Sequence, residues 1–221
     1  MPIIGYILTA LGAYLLGSIP TGFLVAKARG LDIRAVGSGN IGATNVFRIL
    51  GTAPGIFVLL TDALKGWLAV AVLAGLVGDW MQVAANSPLR EWLRILAGVC
   101  AILGHNYTCW LRFKGGKGIA TSAGVLIALV PWALLISLGV FCLVLGLSRY
   151  VSLASIAAAL VLPFATRATR YSMTLVVVTA ALGTLAIYKH KANIQRLLKG
   201  TENRIGRKRP ASTPSAPKPK S

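Results

Sequence analysis

A series of apolar blocks constrains this chain most: roughly 3–26, 55–78, 93–107, 118–147, 151–165 and 172–188. A bilayer crossing needs about 20 predominantly apolar residues, and most of these blocks approach or exceed that length. Of the 221 residues, 56% are hydrophobic and 13% charged, which suits lipid better than water. The expected fold is all-α: one polytopic membrane helix bundle over 1–200, with a separate tail at 201–221. The start, MPIIGYILTALGAYLLGSIPTGFLVAK, lacks a basic leader and is too long in its apolar part for a signal peptide. It is expected as a retained helix.

Loop charges set the orientation. The loop 27–54 carries Lys27, Arg29, Arg34 and Arg48, and the loop 108–117 carries Arg112, Lys114 and Lys117. The positive-inside rule puts both in the cytoplasm, so residue 1 and the loop 79–92 lie outside. The block 118–147 decides the parity. One crossing there would leave the tail from Lys189, with ten cations and one acid, outside. Two crossings, turning near Pro131, bring it inside. About seven transmembrane helices are therefore expected, with the N-terminus outside and the C-terminus cytoplasmic. Two crossings in about 30 residues leave each helix near 22 Å, short of a bilayer core of about 30 Å, so short or broken helices are expected.

The net charge of +18 is thereby assigned to membrane orientation, not to nucleic acid. Cys100, Cys109 and Cys142 sit in or beside apolar blocks without metal spacing, as reduced structural thiols would. The end, RKRPASTPSAPKPKS, is basic and proline-rich and cannot build a core, so the tail is expected to be disordered.

Within this frame several polar stretches stand out. RFKGGKGIATSAG, 112–124, fails the Walker pattern: Leu111 stands where a glycine is needed and Gly118 where a Ser or Thr is needed. Its physics still suits an anion. Gly115, Gly116 and Gly118 allow close backbone approach, Lys117 adds a charge, and a helix N-terminus follows. GSGNIGATN, 37–45, contains a literal G-x-G-x-x-G, but its partner Asp62 lies in an apolar block rather than a parallel sheet. Ser38, Asn40, Thr44, Asn45 and Arg48 together suit a phosphate or glycerol-phosphate head. Asp62 and Lys65, at i and i+3, can pair within one helix or shape a polar cavity. Ser152 and Ser155 lie one turn apart at a helix start. His190 and Asn193 share a helix face, Arg196 follows three residues on, and Glu202 is the tail's single acid, placed to orient a cation. His105 precedes the glycine loop and is open to a structural reading.

All of this lies on one predicted membrane face. It is rich in anion binders and hydroxyls and poor in carboxylates. The sequence shows no paired-acid motif, no Ser-His-Asp or Cys-His set and no H-x-x-x-x-D, since Trp110 and Gln195 occupy the fifth positions after the two histidines. An enzyme of this kind would supply electrostatics and positioning, and a substrate the base. A membrane transporter or channel for phosphate esters or other anions is the alternative, and a lipid-binding structural protein a third. The lack of an internal repeat and the one-sided placement favour the enzyme.

GSIPTGFLVAK, GSGNIGATNVFRILG, DALKG, GHN…FKGGKGIATSAG, SRYVSLAS and HKANIQRLLKGTENRIG span 17–206. Together they resemble the bacterial acyl-phosphate-dependent glycerol-3-phosphate acyltransferase family. The resemblance implies an inner-membrane enzyme that joins an acyl phosphate to glycerol 3-phosphate, giving lysophosphatidic acid and phosphate. It implies no metal, no other cofactor and no obligatory protein partner beyond membrane lipid. It also implies that Ser38, Arg48, Lys117, His190 and Asn193 are catalytic. Asn40, Thr44, Asn45, Gly115, Gly116, Gly118 and Ser155 would bind substrate, Ser155 ahead of Ser152. Thr108-Cys109 after GHNY departs from the family, which more usually has a proline there.

Overall fold

A computed structural model of the chain describes residues 2–206, whose regular structure is helical, with no strand among them. The first apolar block breaks into α1 (Pro2–Ser18) and α2 (Thr21–Lys27), because Pro20 cannot donate to a helix ladder. A short amphipathic α3 (Ala43–Leu50) buries Ala43, Asn45 and Val46 and leads into α4 (Thr52–Leu68). α4 continues through a π-helical turn (Ala69–Leu73) into α5 (Ala74–Trp80), giving one 29-residue segment. α6 (Pro88–Asn106) starts at Ser87, whose hydroxyl accepts from the Arg90 N–H at 3.3 Å. After it come α7 (Ile119–Leu129), α8 (Pro131–Ser148), α9 (Val151–Ala168), α10 (Met173–Lys189) and α11 (Lys191–Leu198).

Four segments are long and apolar enough to cross a membrane: Ile3–Lys27, Thr52–Trp80, Pro131–Ser148 and Val151–Ala168. Met173–Lys189 with Lys191–Leu198, bent by 57°, makes a fifth. α6 carries Arg90, Glu91 and Arg94 in its first two turns. The block 118–147 does divide at Pro131, but not into equal halves. α7 has 11 residues and α8 has 18. The glycine loop delays the start of α7, and Pro131 pushes Val130 out of helical geometry at φ −143°, ψ 59°. α7 is therefore about 16 Å long, roughly half a bilayer core.

α1 packs on α6, α4 on α7, α8 on α9 and α9 on α10. Glycines let three of these pairs, α4–α7, α1–α6 and α9–α10, touch backbone to backbone. A Cβ on Gly124 would lie 1.8 Å from the Ala63 carbonyl oxygen, and one on Gly66 would lie 2.2 Å from that of Thr121. Gly17 and Gly104 do the same between α1 and α6. Small residues at helix contacts are the packing logic of lipid, where apolar burial alone does not drive association. Leu60, Leu143 and Phe164 point outward and are each more than 60% exposed.

Hydrogen bonds to the bundle continue past residue 200. The Ile205 N–H donates to the Arg149 carbonyl at 2.9 Å, and Arg204 Nε donates to the Ser148 carbonyl at 3.3 Å. The rest of the expected disordered tail, 207–221, lies outside the described residues. All three cysteines are free thiols.

Candidate functional site

The glycine loop is built against the end of α6. Arg112 and Phe113 adopt positive φ and turn the chain back. The Gly115 N–H then donates to the Asn106 carbonyl at 3.2 Å, and the Gly116 N–H to the His105 carbonyl at 3.0 Å. A Cβ at Gly115 would meet the His105 carbonyl oxygen at 2.0 Å, and one at Gly116 would meet His105 Nε2 at 2.1 Å. This alters the reading of these glycines as anion donors. Their amides are used inside the loop, and their lack of a side chain permits close packing on α6. Gly118 takes φ +78° and is the N-cap of α7. The N–H groups left for an anion are those of the first turn of α7, which have no intrahelical acceptor.

Lys117 stands at that helix start. Its Nζ donates to Asn193 Oδ1 at 2.5 Å, which ties the loop to α11. Asn193 Nδ2 donates to Glu202 Oε1 at 2.7 Å, and Ser152 Oγ donates to the same oxygen at 3.1 Å. Arg196 Nε donates to Glu202 Oε2 at 2.7 Å. Burial pushes the Glu202 carboxyl up, but the bonds from Asn193, Arg196 and Ser152 outweigh it and hold the group below the usual carboxylate range. Burial pulls the Lys117 ammonium down to about 8, with Glu202 opposing and the positive fields of Arg196, Arg48 and Lys189 adding to the fall. Several cations thus face one carboxylate, itself held by three donors. Such a site favours an incoming anion.

His190 is the hinge between α10 and α11 and is buried. Its Nδ1 lies 2.7 Å from the Ala186 carbonyl, which can only accept, so the proton sits on Nδ1. In the neutral ring Nε2 is then an acceptor. Ser155 is buried and donates to the Val151 carbonyl at 2.8 Å, one turn back in its own helix. The hydroxyl joined to the polar chain is that of Ser152. Arg196 and Glu202, which belong to this chain of polar contacts, were not among the residues expected in the site. The signal for Glu202 was its being the one acid among ten cations.

The loop before α3 is organised by Asn45. Its Oδ1 accepts from the Ser38 N–H at 2.9 Å and from Arg48 Nη1 at 3.2 Å. Its Nδ2 donates to the carbonyls of Ile33, Val36 and Asn40 at 3.0–3.2 Å. Asn45 is 1% exposed and its amide is engaged within the chain. Asn40 Oδ1 accepts from the Gly42 N–H at 3.1 Å. Ser38, Thr44 and Arg48 remain exposed. Arg48 connects this loop to the rest of the site through its field on Lys117.

Beneath the loop lies a second polar cluster. Asp62 Oδ1 accepts from Lys65 Nζ at 2.8 Å and from Thr21 Oγ1 at 3.2 Å. Lys65 Nζ also donates to the Ile19 carbonyl at 2.8 Å. His105 Nδ1 stands 3.7 Å from Asp62 Oδ1.

With this geometry in hand, comparison with known proteins is specific. A family model described as glycerol-3-phosphate acyltransferase matches residues 7–200. The chain is 48% identical over 197 residues to the glycerol-3-phosphate acyltransferase of Geotalea daltonii, covering 89% of this chain and 96% of that one. It is 48% identical over 201 residues to that of Geobacter sulfurreducens, covering 90% and 96%. Among solved structures it is similar to PlsY (YgiH), an integral membrane glycerol 3-phosphate acyltransferase. The glycerol 3-phosphate form of that protein gives a TM-score of 0.80 at 39% identity, covering 91% of this chain and 96% of that one. Its lysophosphatidic acid form gives 0.78 at 38%, covering 91% and 95%.

Proposed function

Since the chain belongs to the glycerol-3-phosphate acyltransferase family, we propose that it transfers an acyl group from an acyl phosphate to the 1-hydroxyl of glycerol 3-phosphate. The products are lysophosphatidic acid and inorganic phosphate, the first step of bacterial phospholipid synthesis. The protein crosses the inner membrane about seven times, with the N-terminus outside and the site on the cytoplasmic side.

One observation carries this reading. The Lys117 ammonium, at the N-terminus of α7, is held by a neutral amide oxygen and ringed by the fields of Arg48, Arg196 and Lys189. A phosphate placed there meets an ammonium, helix dipole and guanidinium together. The same groups stabilise phosphate as it departs. The glycerol 1-hydroxyl oxygen attacks the acyl carbonyl carbon, and the ester bond forms as the bond to the phosphate oxygen breaks. Glu202 is too fully engaged to serve as base. The hydroxyl proton passes to a substrate phosphate oxygen. His190 Nε2 orients the acceptor, Ser38 and Arg48 hold its phosphate, and Ser155 borders the acyl carbonyl. Asn40 and Thr44 line the entry. The acyl chain stays in lipid between helices.

The test is donor choice. Purified protein in lipid nanodiscs receives glycerol 3-phosphate with an acyl phosphate or with acyl-CoA. Lysophosphatidic acid and stoichiometric phosphate are expected with acyl phosphate alone. Equal product from acyl-CoA would overturn the donor assignment. Uptake of glycerol 3-phosphate into liposomes without acyl transfer would support a transporter instead.

A further inference from the structure

The buried cluster under the glycine loop has no part in the chemistry above. The geometry points to His105, backed by the Asp62–Lys65 pair, as a positioning residue that fixes the glycine loop and so aims Lys117.

His105 touches the loop twice. Its carbonyl accepts the Gly116 N–H at 3.0 Å, and its Nε2 lies where a Gly116 Cβ would be, 2.1 Å away. On the other side of the ring, Nδ1 faces Asp62 Oδ1 at 3.7 Å. Asp62 is not free to move. It holds Lys65 on its own helix and Thr21 on α2, and Lys65 holds the Ile19 carbonyl at the α1–α2 break. Asp62, Lys65 and His105 are at most 5% exposed. The ring is therefore a strut between α4 and the loop, one residue before Lys117. An intramembrane ion pair is expensive to bury, and its use here is a fixed register between α2, α4 and α6. Asn106, 0% exposed, completes the seat, since its Oδ1 would meet a Gly118 Cβ at 2.6 Å.

Misplacing a charge by about 1 Å can cost on the order of 100-fold in rate. His105→Ala is therefore expected to lower kcat/KM for acyl phosphate roughly 10- to 100-fold while the KM for glycerol 3-phosphate stays within about twofold. His105→Gln, which refills the space against Gly116, is expected to recover most of the loss. This kinetic part rests on the glycine loop being the acyl-phosphate site, so a readout independent of substrate accompanies it. Brief trypsin treatment of the detergent-solubilised protein reports cleavage after Arg112, Lys114 and Lys117. Loop cleavage in His105→Ala is expected to be roughly tenfold faster, with cleavage after Arg29 unchanged.

A third measurement covers misfolding. Gly116→Ala drives a methyl into the ring, and adding His105→Ala removes the clash, so the double variant should exceed Gly116→Ala in activity. A protected loop in His105→Ala, or no recovery in the double variant, would overturn the strut. Faster loop cleavage with an unchanged kcat/KM for acyl phosphate would retain the strut and reject the donor site at the loop.

Discussion

Lys117 and Asn193 meet at 2.5 Å across 76 residues of sequence, and the acceptor is an amide oxygen rather than a carboxylate. A neutral acceptor orients the ammonium without cancelling its charge, so the full charge remains for a phosphate. Asn193→Asp keeps an acceptor of the same size but puts a negative charge beside the anion site. It is expected to lower kcat/KM by at least about 100-fold, more than Asn193→Ala, because like charges now oppose at short range. Steady-state kinetics with both substrates decide it. A wild-type KM for both phosphates in Asn193→Asp would count against Lys117 as an anion ligand.

Glu202 gathers Ser152, Asn193 and Arg196, and so joins α9, α11 and the last described residues. Glu202→Gln can accept at one oxygen where the carboxylate accepts at two. Losing a charged acceptor is expected to destabilise by about 1–3 kcal/mol. The measurable result is a lower thermal midpoint together with faster proteolysis after Arg204, an exposed cation of that segment. An unchanged midpoint with lost activity would instead place Glu202 in the reaction.

Much of the fold was legible because its causes are local. The block lengths marked the helices and Pro131 marked one break, while the first block, expected as a single helix, breaks at Pro20. The unequal split of 118–147 was not legible, since it depends on how much chain the glycine loop takes up against α6. The site was half legible for the same reason. Lys117, His190 and Asn193 follow from charge and helix spacing. Asn45 and Gly115 looked like ligands because they carry the right groups, yet only the folded loop shows those groups turned inward. Glu202 and Ser152 lie 50 residues apart and meet only through tertiary packing.

The Lys117 ammonium, drawn down to about 8, gives the reaction a pH limb. Below that pH the free enzyme carries the charge, and above it the charge is lost, so phosphate binding weakens as pH rises. kcat/KM for acyl phosphate is expected to fall by up to roughly tenfold per unit above about pH 8. The limb should soften for kcat, because a bound anion restores the proton. Lys117→Arg, with its guanidinium charged throughout, should lose the limb from whatever activity remains. A flat wild-type profile from pH 7 to 10 would mean the limb-bearing group is not Lys117.

α7 bears the candidate site at its N-terminus, yet its 11 residues are too few to cross a membrane alone. It depends on α4, where Gly124 lets its backbone approach the Ala63 carbonyl and Gly66 answers from the other side. Gly124→Ala places a methyl 1.8 Å from that oxygen, and neither backbone can yield without parting the helices. A loss of about 1–3 kcal/mol is expected from overpacking, together with lower activity as the Lys117 end of α7 shifts. Gly139→Ala on α8 is the matched control, because a methyl there meets nothing within 4 Å. It removes an interior glycine of a helix and should leave stability unchanged or improved by up to about 1 kcal/mol. Thermal unfolding in detergent, followed by acyl-transfer assay in nanodiscs, compares the two. Equal behaviour would show that α7 is seated by something other than the Gly66–Gly124 contact.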